Sequence, residues 1–405
     1  MRSNIDAPTE GPLQGLVVIE MGTLIAGPFC GQILGDFGAT VIKLEDPGKG
    51  DPMRQWGRSL PMGHSPWWPV IGRNKRSVTL NLRDPEGQSI ARKLIAGADV
   101  LIENFRPGAM EKWGLGYEAL SAENSKLVMA RVSGFGQTGP YAQRAGYALI
   151  GEAMGGLRYI TGEPDRAPAR AGISVGDSLA GLHAALGTMM ALHARERTGR
   201  GQIVDAAIYE SVLSVMENLI TEYGLTGYVR ERSGSVLPGI APSNAYPTAD
   251  GALVVIGANQ DTLFGRLCDA MGRPELSQDP RYAGHAARGE NQAELDTLIG
   301  AWTATLTAAD LLALMEKSGV AAGRVYRAPD MLTDPQFEAR EAIVETPHPV
   351  FGSVKMQNAF PKLSDTPGGV RWPGPALGEH TDEVLAERAG VSAETLVTLR
   401  ERGVI

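Results

Sequence analysis

The sequence predicts an α/β protein in which helices cover a parallel sheet and a smaller unit is attached. Three observations predict it. Short apolar, β-branched runs alternate with helical patterns through the first half of the chain. The helical stretches open on proline or a capping residue and stop at glycine. Near residue 225 the texture changes, and Gly, Pro, Ser and Asn crowd together.

The elements follow in order. "GLVVIEMG" (15–22) is an apolar run bounded by glycine, as a buried strand requires. "GPFCGQILGDFG" (27–38) carries Pro28 in its first turn and ends on Gly38, so a helix is expected. "ATVIKLE" (39–45) is a second strand, and the resulting β-α-β unit implies parallel pairing. The rhythm repeats with a strand at 77–82, a helix at 85–98, a strand at 99–105, a shorter helix and a strand at 126–134. After Asp177 a helix presents Ala180, Ala184, Gly187 and Ala191 as a small-residue stripe, beside Leu179, Leu182, Leu186, Met190 and His193. Such a helix suits a central, buried position. "ERTGRGQIVDAAI" then turns through Gly199 and Gly201 into another strand.

Residues 225–250 read as a linker into a smaller unit with a strand at 252–258 and helices near 261–272 and 289–318. A second Pro/Gly-rich stretch (361–378) reads as extended chain before a final helix around "EHTDEVLAERAG". The expected division is 1–224, 225–325 and 326–405.

Composition narrows the function. The chain has 405 residues, 43% of them hydrophobic and 21% charged, which is ordinary for a globular protein. A net charge of -8 argues against a nucleic-acid partner, so an anionic ligand must find a local basic patch. Cys30 and Cys268 sit far apart among apolar neighbours and read as buried thiols of a reducing compartment. Residues 1–12 lack the apolar stretch of a signal peptide. The apolar runs fall short of the about 20 residues that cross a bilayer. A cytoplasmic protein with no membrane partner is therefore expected. The histidines and cysteines never fall at metal-ligand spacing, so no metal site is expected.

Two glycine-rich stretches lack the chemistry they suggest. "GTLIAG" (22–27), with Glu45 downstream, has the wrong glycine spacing for a dinucleotide loop. "PGKGD" (47–51) lacks the Ser or Thr of a nucleoside-triphosphate loop.

"GISVGDSLAG" (172–181) allows two reactive groups. Gly172-Ile173-Ser174-Val175-Gly176 spells the G-x-S-x-G of a serine hydrolase, with His348 or His380 as later partners. Against that reading, the helical pattern starts at Asp177 or Ser178 rather than directly behind Ser174. His183, six positions after Asp177, falls on another helical face. Asp177 suits a helix N-cap, and the same place favours an ionised carboxylate able to attack a carbonyl.

Several quoted stretches carry a more specific likeness. "VVIEMGTLIAGPFCGQILGDFGATVIKLEDPGKGD", "NKRSVTLNLRDPEG", "LIENFRPGAMEKWGLGYE", "SGFGQTGP", "GDSLAG", "TGRGQIVDAAIYES", "GVAAGRVYRAPDMLTDPQF" and "LGEHTDEVL" occur in this order. The chain resembles family III (CaiB/BaiF-type) CoA-transferases from about residue 13 to 405.

The resemblance implies that Asp177 is the nucleophile and that coenzyme A thioesters and small carboxylic acids are substrates, with no tightly bound cofactor. It implies that Ile25 and Ala26 lie near the acyl group. Leu80, Leu82 and Arg83 would contact adenine and phosphate, while Asn104, Phe105, Arg106 and Lys112 line the CoA channel. Arg73, Lys75 and Arg76 of "GRNKRS" are further candidate cations, and Phe135 a further CoA contact. Gly134 and Gly136 are candidate backbone donors to a developing oxyanion. Arg73 and Arg144 are candidates for a second carboxylate of a dicarboxylic acid.

Two departures stand out. Members often carry arginine where this chain has Asp46. The related acyl-CoA racemases use Gly-His-Asp where this chain has Gly146-Tyr147-Ala148, so a racemase would lack its histidine base. The implied fold is a Rossmann-like large domain, its parallel sheet from both chain ends, with a smaller inserted α/β domain, in an interlocked homodimer.

Overall fold

The computed structural model describes residues 11–405. The signal-peptide reading concerned residues 1–12, of which 1–10 lie outside the described residues. The chain divides into two compact units. One comprises the chain up to Leu157 together with 171–218 and 336–405; the other comprises 158–170 and 219–335. The divisions thus fall at 218/219 and 335/336 instead of 224/225 and 325/326, and 158–170 groups with the second unit.

The first unit contains a six-stranded sheet, every pair of which is parallel. Its strands are β1 (Val17–Glu20), β2 (Thr40–Glu45), β3 (Lys75–Thr79), β4 (Val100–Glu103), β5 (Val128–Ser133) and β6 (Ile203–Ala207). The spatial order is β3-β2-β1-β4-β5-β6, the Rossmann arrangement. Strand order reverses between β1 and β4, and the chain leaves both strands on the same edge.

The strands are apolar without a break because both sheet faces are covered. Alternate residues go to opposite cores. Ile19, Ile42, Val78, Leu101 and Met129 join one core with Ile90 and Leu94 of the helix Pro85–Ala96. Val18, Val41, Val100, Ile102 and Val128 join the other with Cys30 and Leu34 of helix α1 (Ala26–Asp36) and with Ala180 and Ala184. The C-terminal end of the chain belongs to the first unit, but the sheet takes no strand from it. It contributes Val384, Leu385, Leu396 and Leu399 to the first core, from the helices Thr381–Ala389 and Ala393–Glu401. It also forms a separate antiparallel hairpin, Ile343–His348 with Gly352–Gln357.

The helix expected after Asp177 runs from Val175 to Thr198. Ala180, Ala184 and Ala191 of its small stripe are buried, and Gly187 is half-buried. The adjacent bulky face is not buried: Leu182, Leu186 and Met190 are 50%, 51% and 61% exposed. The helix also begins earlier than its sequence suggests. Ser174 is the N-cap, and Asp177 sits inside the first turn.

In the second unit, Ser243–Pro247, Leu253–Gly257 and Ala321–Arg324 form a three-stranded antiparallel sheet. Val254 and Ile256 face its core, whereas Leu253 and Val255 face outward, the alternation of a sheet covered on one side. The stretch 225–250 is therefore not purely a linker, since its end supplies an edge strand.

Among the described residues no single helix is long and apolar enough to cross a membrane. None of their His, Cys, Asp and Glu side chains form a group of three or more able to hold a metal ion.

Candidate active site

In an open parallel sheet, ligands bind beyond the carboxyl ends of the strands where strand order reverses. A cavity of about 400 Å³ lies at that place. Met21 and Thr23 after β1, Lys43 to Asp46 at the end of β2, Leu80 to Arg83 after β3, and Phe105 and Arg106 after β4 contribute to its wall. A larger hollow of about 540 Å³, lined by Tyr117, Ser125, Thr198 and Arg200, lies at the amino ends of β5 and β6. That is the wrong edge for the chemistry of this fold.

The cavity gathers Leu80, Leu82, Arg83, Phe105 and Arg106 from the expected set. Arg83 and Arg106 are exposed at its rim, where an anion keeps part of its hydration. Lys112 is exposed on the short helix Ala109–Lys112, between the cavity residues Ala109 and Trp113. Trp113 was missed by sequence reasoning. It meets Phe105 edge-to-face at 5.1 Å and gives the cavity an aromatic wall suited to a nucleobase. Its only sequence signal was a tryptophan beside the lysine of "MEKWG".

Three expected cations are elsewhere. Arg73 is buried against Asp36 at 2.6 Å and also donates to the Gln357 carbonyl. Lys75 is buried against Glu20 at 2.7 Å and donates to the Pro28 carbonyl. Burial pulls the Lys75 ammonium below the usual lysine range, with Glu20 opposing. Arg76 is only 4% exposed in β3 and does not line the cavity. Arg73 is likewise removed as a holder of a substrate carboxylate.

Acidic side chains occupy the inner wall. Burial opposes the charge of Glu45, but two hydrogen bonds from Arg54 at 2.8 Å, with Lys43 and Ser77, hold its carboxyl below the usual range. Asp46, where arginine is common among members, is exposed and accepts from the amides of Gly48 and Lys49. It brings negative charge to the cavity wall.

Asn104 does not line the cavity but locks its neighbour. Its amide donates to the Thr23 carbonyl and accepts from the Thr23 N–H, both at 2.8 Å. Glu103 accepts the Phe105 N–H at 2.7 Å and pairs with Arg131 at the same distance. Burial nevertheless keeps the Glu103 carboxyl above its usual range.

Backbone proximity connects this end to Asp177. Gly181 lies four residues after Asp177 on the same helical face, about 6 Å along the axis. A Cβ at Gly181 would stand 2.6 Å from the Ala26 carbonyl oxygen, so the Asp177 helix and α1 touch backbone to backbone. Ile25 caps α1 and, like Ala26, is buried there. Gly176, directly before Asp177, would place a Cβ 3.2 Å from the Ala148 carbonyl oxygen, and its N–H donates to Glu152 at 3.2 Å. Gly134 would place a Cβ 2.7 Å from the Cα of Gly146. The loops "SGFG" and "AGYA" therefore cross at glycine, close to the amino end of the Asp177 helix.

Gly136 departs from its expected role. Its φ of 88° fits glycine, but its N–H already donates to Ser133 Oγ at 3.0 Å. Phe135 meets Tyr141 at 5.9 Å and is not part of the cavity wall. Arg144 is exposed and stacks over Tyr141 at 3.7 Å.

The Asp177 helix does begin directly after Ser174, contrary to the sequence reading. However, residues 161–174 contain no strand, and a nucleophile elbow is a strand-to-helix turn. His380 lies in the first core's flank, its Nδ1 accepting from the Ser77 amide at 3.3 Å.

Comparison with known proteins identifies the architecture. The model of CoA-transferase family III matches residues 13–381. The succinyl-CoA–D-citramalate CoA-transferase of Chloroflexus aurantiacus is 58% identical over 394 residues, 97% of this chain and 98% of that one. The succinate–glutarate CoA-transferase of Agrobacterium fabrum is 38% identical, covering 93% of this chain and 95% of its own. The crystal structure of a CAIB/BAIF family protein from Brucella suis matches with a TM-score of 0.84 at 38% identity, over 93% of this chain and 99% of that chain. The chain accordingly belongs to CoA-transferase family III and is an enzyme that transfers coenzyme A.

Proposed function

We propose that the enzyme moves CoA from succinyl-CoA to a second dicarboxylic acid, with Asp177 as the covalent carrier. The observation that supports this reading is the backbone contact of Gly181 with Ala26, one helical turn from Asp177, at the start of the helix that follows the turn whose Thr23 lines the switch-point cavity. The named activities of the relatives support the substrate class: their acceptors, citramalate and glutarate, are both dicarboxylates.

The Asp177 carboxylate attacks the thioester carbonyl, the C–S bond breaks, and CoA thiolate leaves a mixed anhydride. The thiolate attacks the Asp177 acyl carbon, which forms an aspartyl-CoA thioester and releases succinate. The acceptor carboxylate attacks that thioester and expels the thiolate again. Attack of the thiolate on the acceptor's acyl carbon yields the new acyl-CoA and frees Asp177. Thioester energy is conserved only while water is kept from both intermediates. The glycine crossings bring backbone close without side chains, leaving Gly134 as the remaining candidate for oxyanion contact.

Arg83, Arg106 and Lys112 serve the phosphates, and Phe105 with Trp113 serve the adenine. Arg144 is the candidate for the acceptor's second carboxylate. The exposed face of Leu182, Leu186 and Met190 is the surface a second copy would cover, consistent with an interlocked homodimer.

The test mixes succinyl-CoA with mono- and dicarboxylic acids and reads new thioesters by mass spectrometry. Malate, citramalate or glutarate yields new thioesters, and Asp177→Ala yields none. Succinyl-CoA hydrolysis without transfer, or full activity in Asp177→Ala, contradicts the reading.

A further inference from the structure

Leu24 adopts a left-handed backbone, with φ of 66°, in the turn between β1 and α1. A branched side chain avoids that region unless its surroundings fix it there, and such outliers collect at functional sites. Three side chains grip this turn. Asn104 holds both backbone groups of Thr23. Lys43 donates to the Gly22 carbonyl at 2.8 Å. Asp51 Oδ1 accepts the N–H of Leu24 at 3.2 Å and that of Met53 at 2.9 Å. Asp51 is itself anchored, its other oxygen 2.9 Å from Lys43 Nζ, and Lys43 also pairs with Glu20 at 2.9 Å. Every one of these ionic side chains is essentially inaccessible.

The turn decides where α1 begins. Ala26 starts that helix, and its carbonyl lies where Gly181 has no side chain, one turn from Asp177. Were Leu24 to relax to negative φ, the chain would enter α1 along a different path. The Ala26–Gly181 contact tolerates no such shift.

We infer that Asp51 is a positioning residue for acyl transfer, holding Leu24 left-handed so that Ile25 and Ala26 keep their place beside the Asp177 helix. The inference rests on Asp177 being the nucleophile. Asp51 touches no reacting atom; it acts through the backbone of Leu24.

The experiment compares Leu24→Gly, Leu24→Val, Asp51→Asn, Asp51→Ala and the double variant Leu24→Gly/Asp51→Ala in the succinyl-CoA exchange assay, with thermal melting alongside. Glycine enters the left-handed region freely, whereas a β-branched residue resists it. Leu24→Val should lose about tenfold to a hundredfold in kcat, the scale of a small misplacement, with KM for succinyl-CoA changed less than about threefold. Leu24→Gly should exceed Leu24→Val by at least about tenfold. Asp51→Asn keeps an acceptor oxygen and should outperform Asp51→Ala, and Leu24→Gly should raise the kcat of Asp51→Ala. Equal kcat for Leu24→Val and Leu24→Gly overturns the inference. So does a double variant no faster than Asp51→Ala at equal melting temperature. Should the Asp51 variants fail to fold, the Leu24 pair decides alone. Asp177→Ala runs in parallel: its retained activity would refute the nucleophile, a separate failure.

Discussion

The two ends of the site are built by opposite means. Around the switch-point cavity, charge meets charge: Lys43 with Asp51 and Glu20, Arg54 with Glu45, Arg131 with Glu103. Around Asp177, side chains are missing: Gly134 meets Gly146, Gly176 meets Ala148 and Gly181 meets Ala26. Under the proposed function, the first end fixes a large polyanion inside an acidic protein, so buried pairs orient the wall and leave rim cations for phosphate. The second, under the same proposal, admits an acyl group while excluding water, which requires backbone at close range. The comparison teaches that the same kind of substitution should do different things at each end.

The largest effect is expected at the glycine end. Gly181→Ala and Gly134→Ala each force a methyl against backbone, which should lower kcat about a hundredfold with little change in KM. Overpacking should also cost about 1–3 kcal/mol of stability. Gly172→Ala, which meets nothing within 4 Å, is the control and should stay close to wild type. Steady-state kinetics and denaturant unfolding check both. Equal behaviour of all three variants would break the comparison.

At the charged end the effect moves to KM. Arg83→Ala or Arg106→Ala should raise KM for acyl-CoA about tenfold and leave kcat within about threefold, as expected for lost charge-assisted contacts. Asp46→Arg should act in reverse and more weakly, lowering that KM about threefold. A rise in KM instead would show that phosphate does not approach β2.

The smallest effect is in stability with pH. Asp51 is held below its ordinary 3.8: burial opposes the anion, but Lys43 and the amides of Met53 and Leu24 outweigh it. Glu45 is likewise held below 4.5. Folding therefore gains from ionisation of both groups. That gain is complete above their unfolded values and is lost as pH falls through the depressed folded values. The contribution of these two carboxylates to the melting temperature should be constant from pH 7 to 6 and decline below about pH 4.5, on top of the loss that burial of neutral His348 and His380 adds as pH falls through 6.5. Asp51→Asn should show a smaller decline than wild type.

Much of the fold was legible because it depends on local patterns. The strands of the sheet are short apolar runs, and a doubly covered sheet makes such runs continuous. The helix start was misjudged because Gly176 weakens a helix, while its contacts with Ala148, Ile208 and Glu152 stabilise the turn in place. The hairpin at 343–357 escaped because its strands contain Pro347 and its turn lacks a marked dipeptide. Arg73 and Lys75 looked like a phosphate patch, since nothing local in "GRNKRS" reveals that Asp36 and Glu20 meet them across the core. Of the cations expected from sequence, those that line the cavity, Arg83 and Arg106, follow strand ends. Position relative to the sheet, more than local charge density, separates the two sets.

The most direct measurement is chemical trapping of the carrier. The enzyme is incubated with succinyl-CoA without acceptor, reduced with borohydride and mapped by peptide mass spectrometry. Reduction of the Asp177 side chain to the alcohol, absent from enzyme treated without succinyl-CoA, is the result predicted here. An adduct on Ser174, or an unmodified Asp177 in enzyme that turns over in the same preparation, would contradict it.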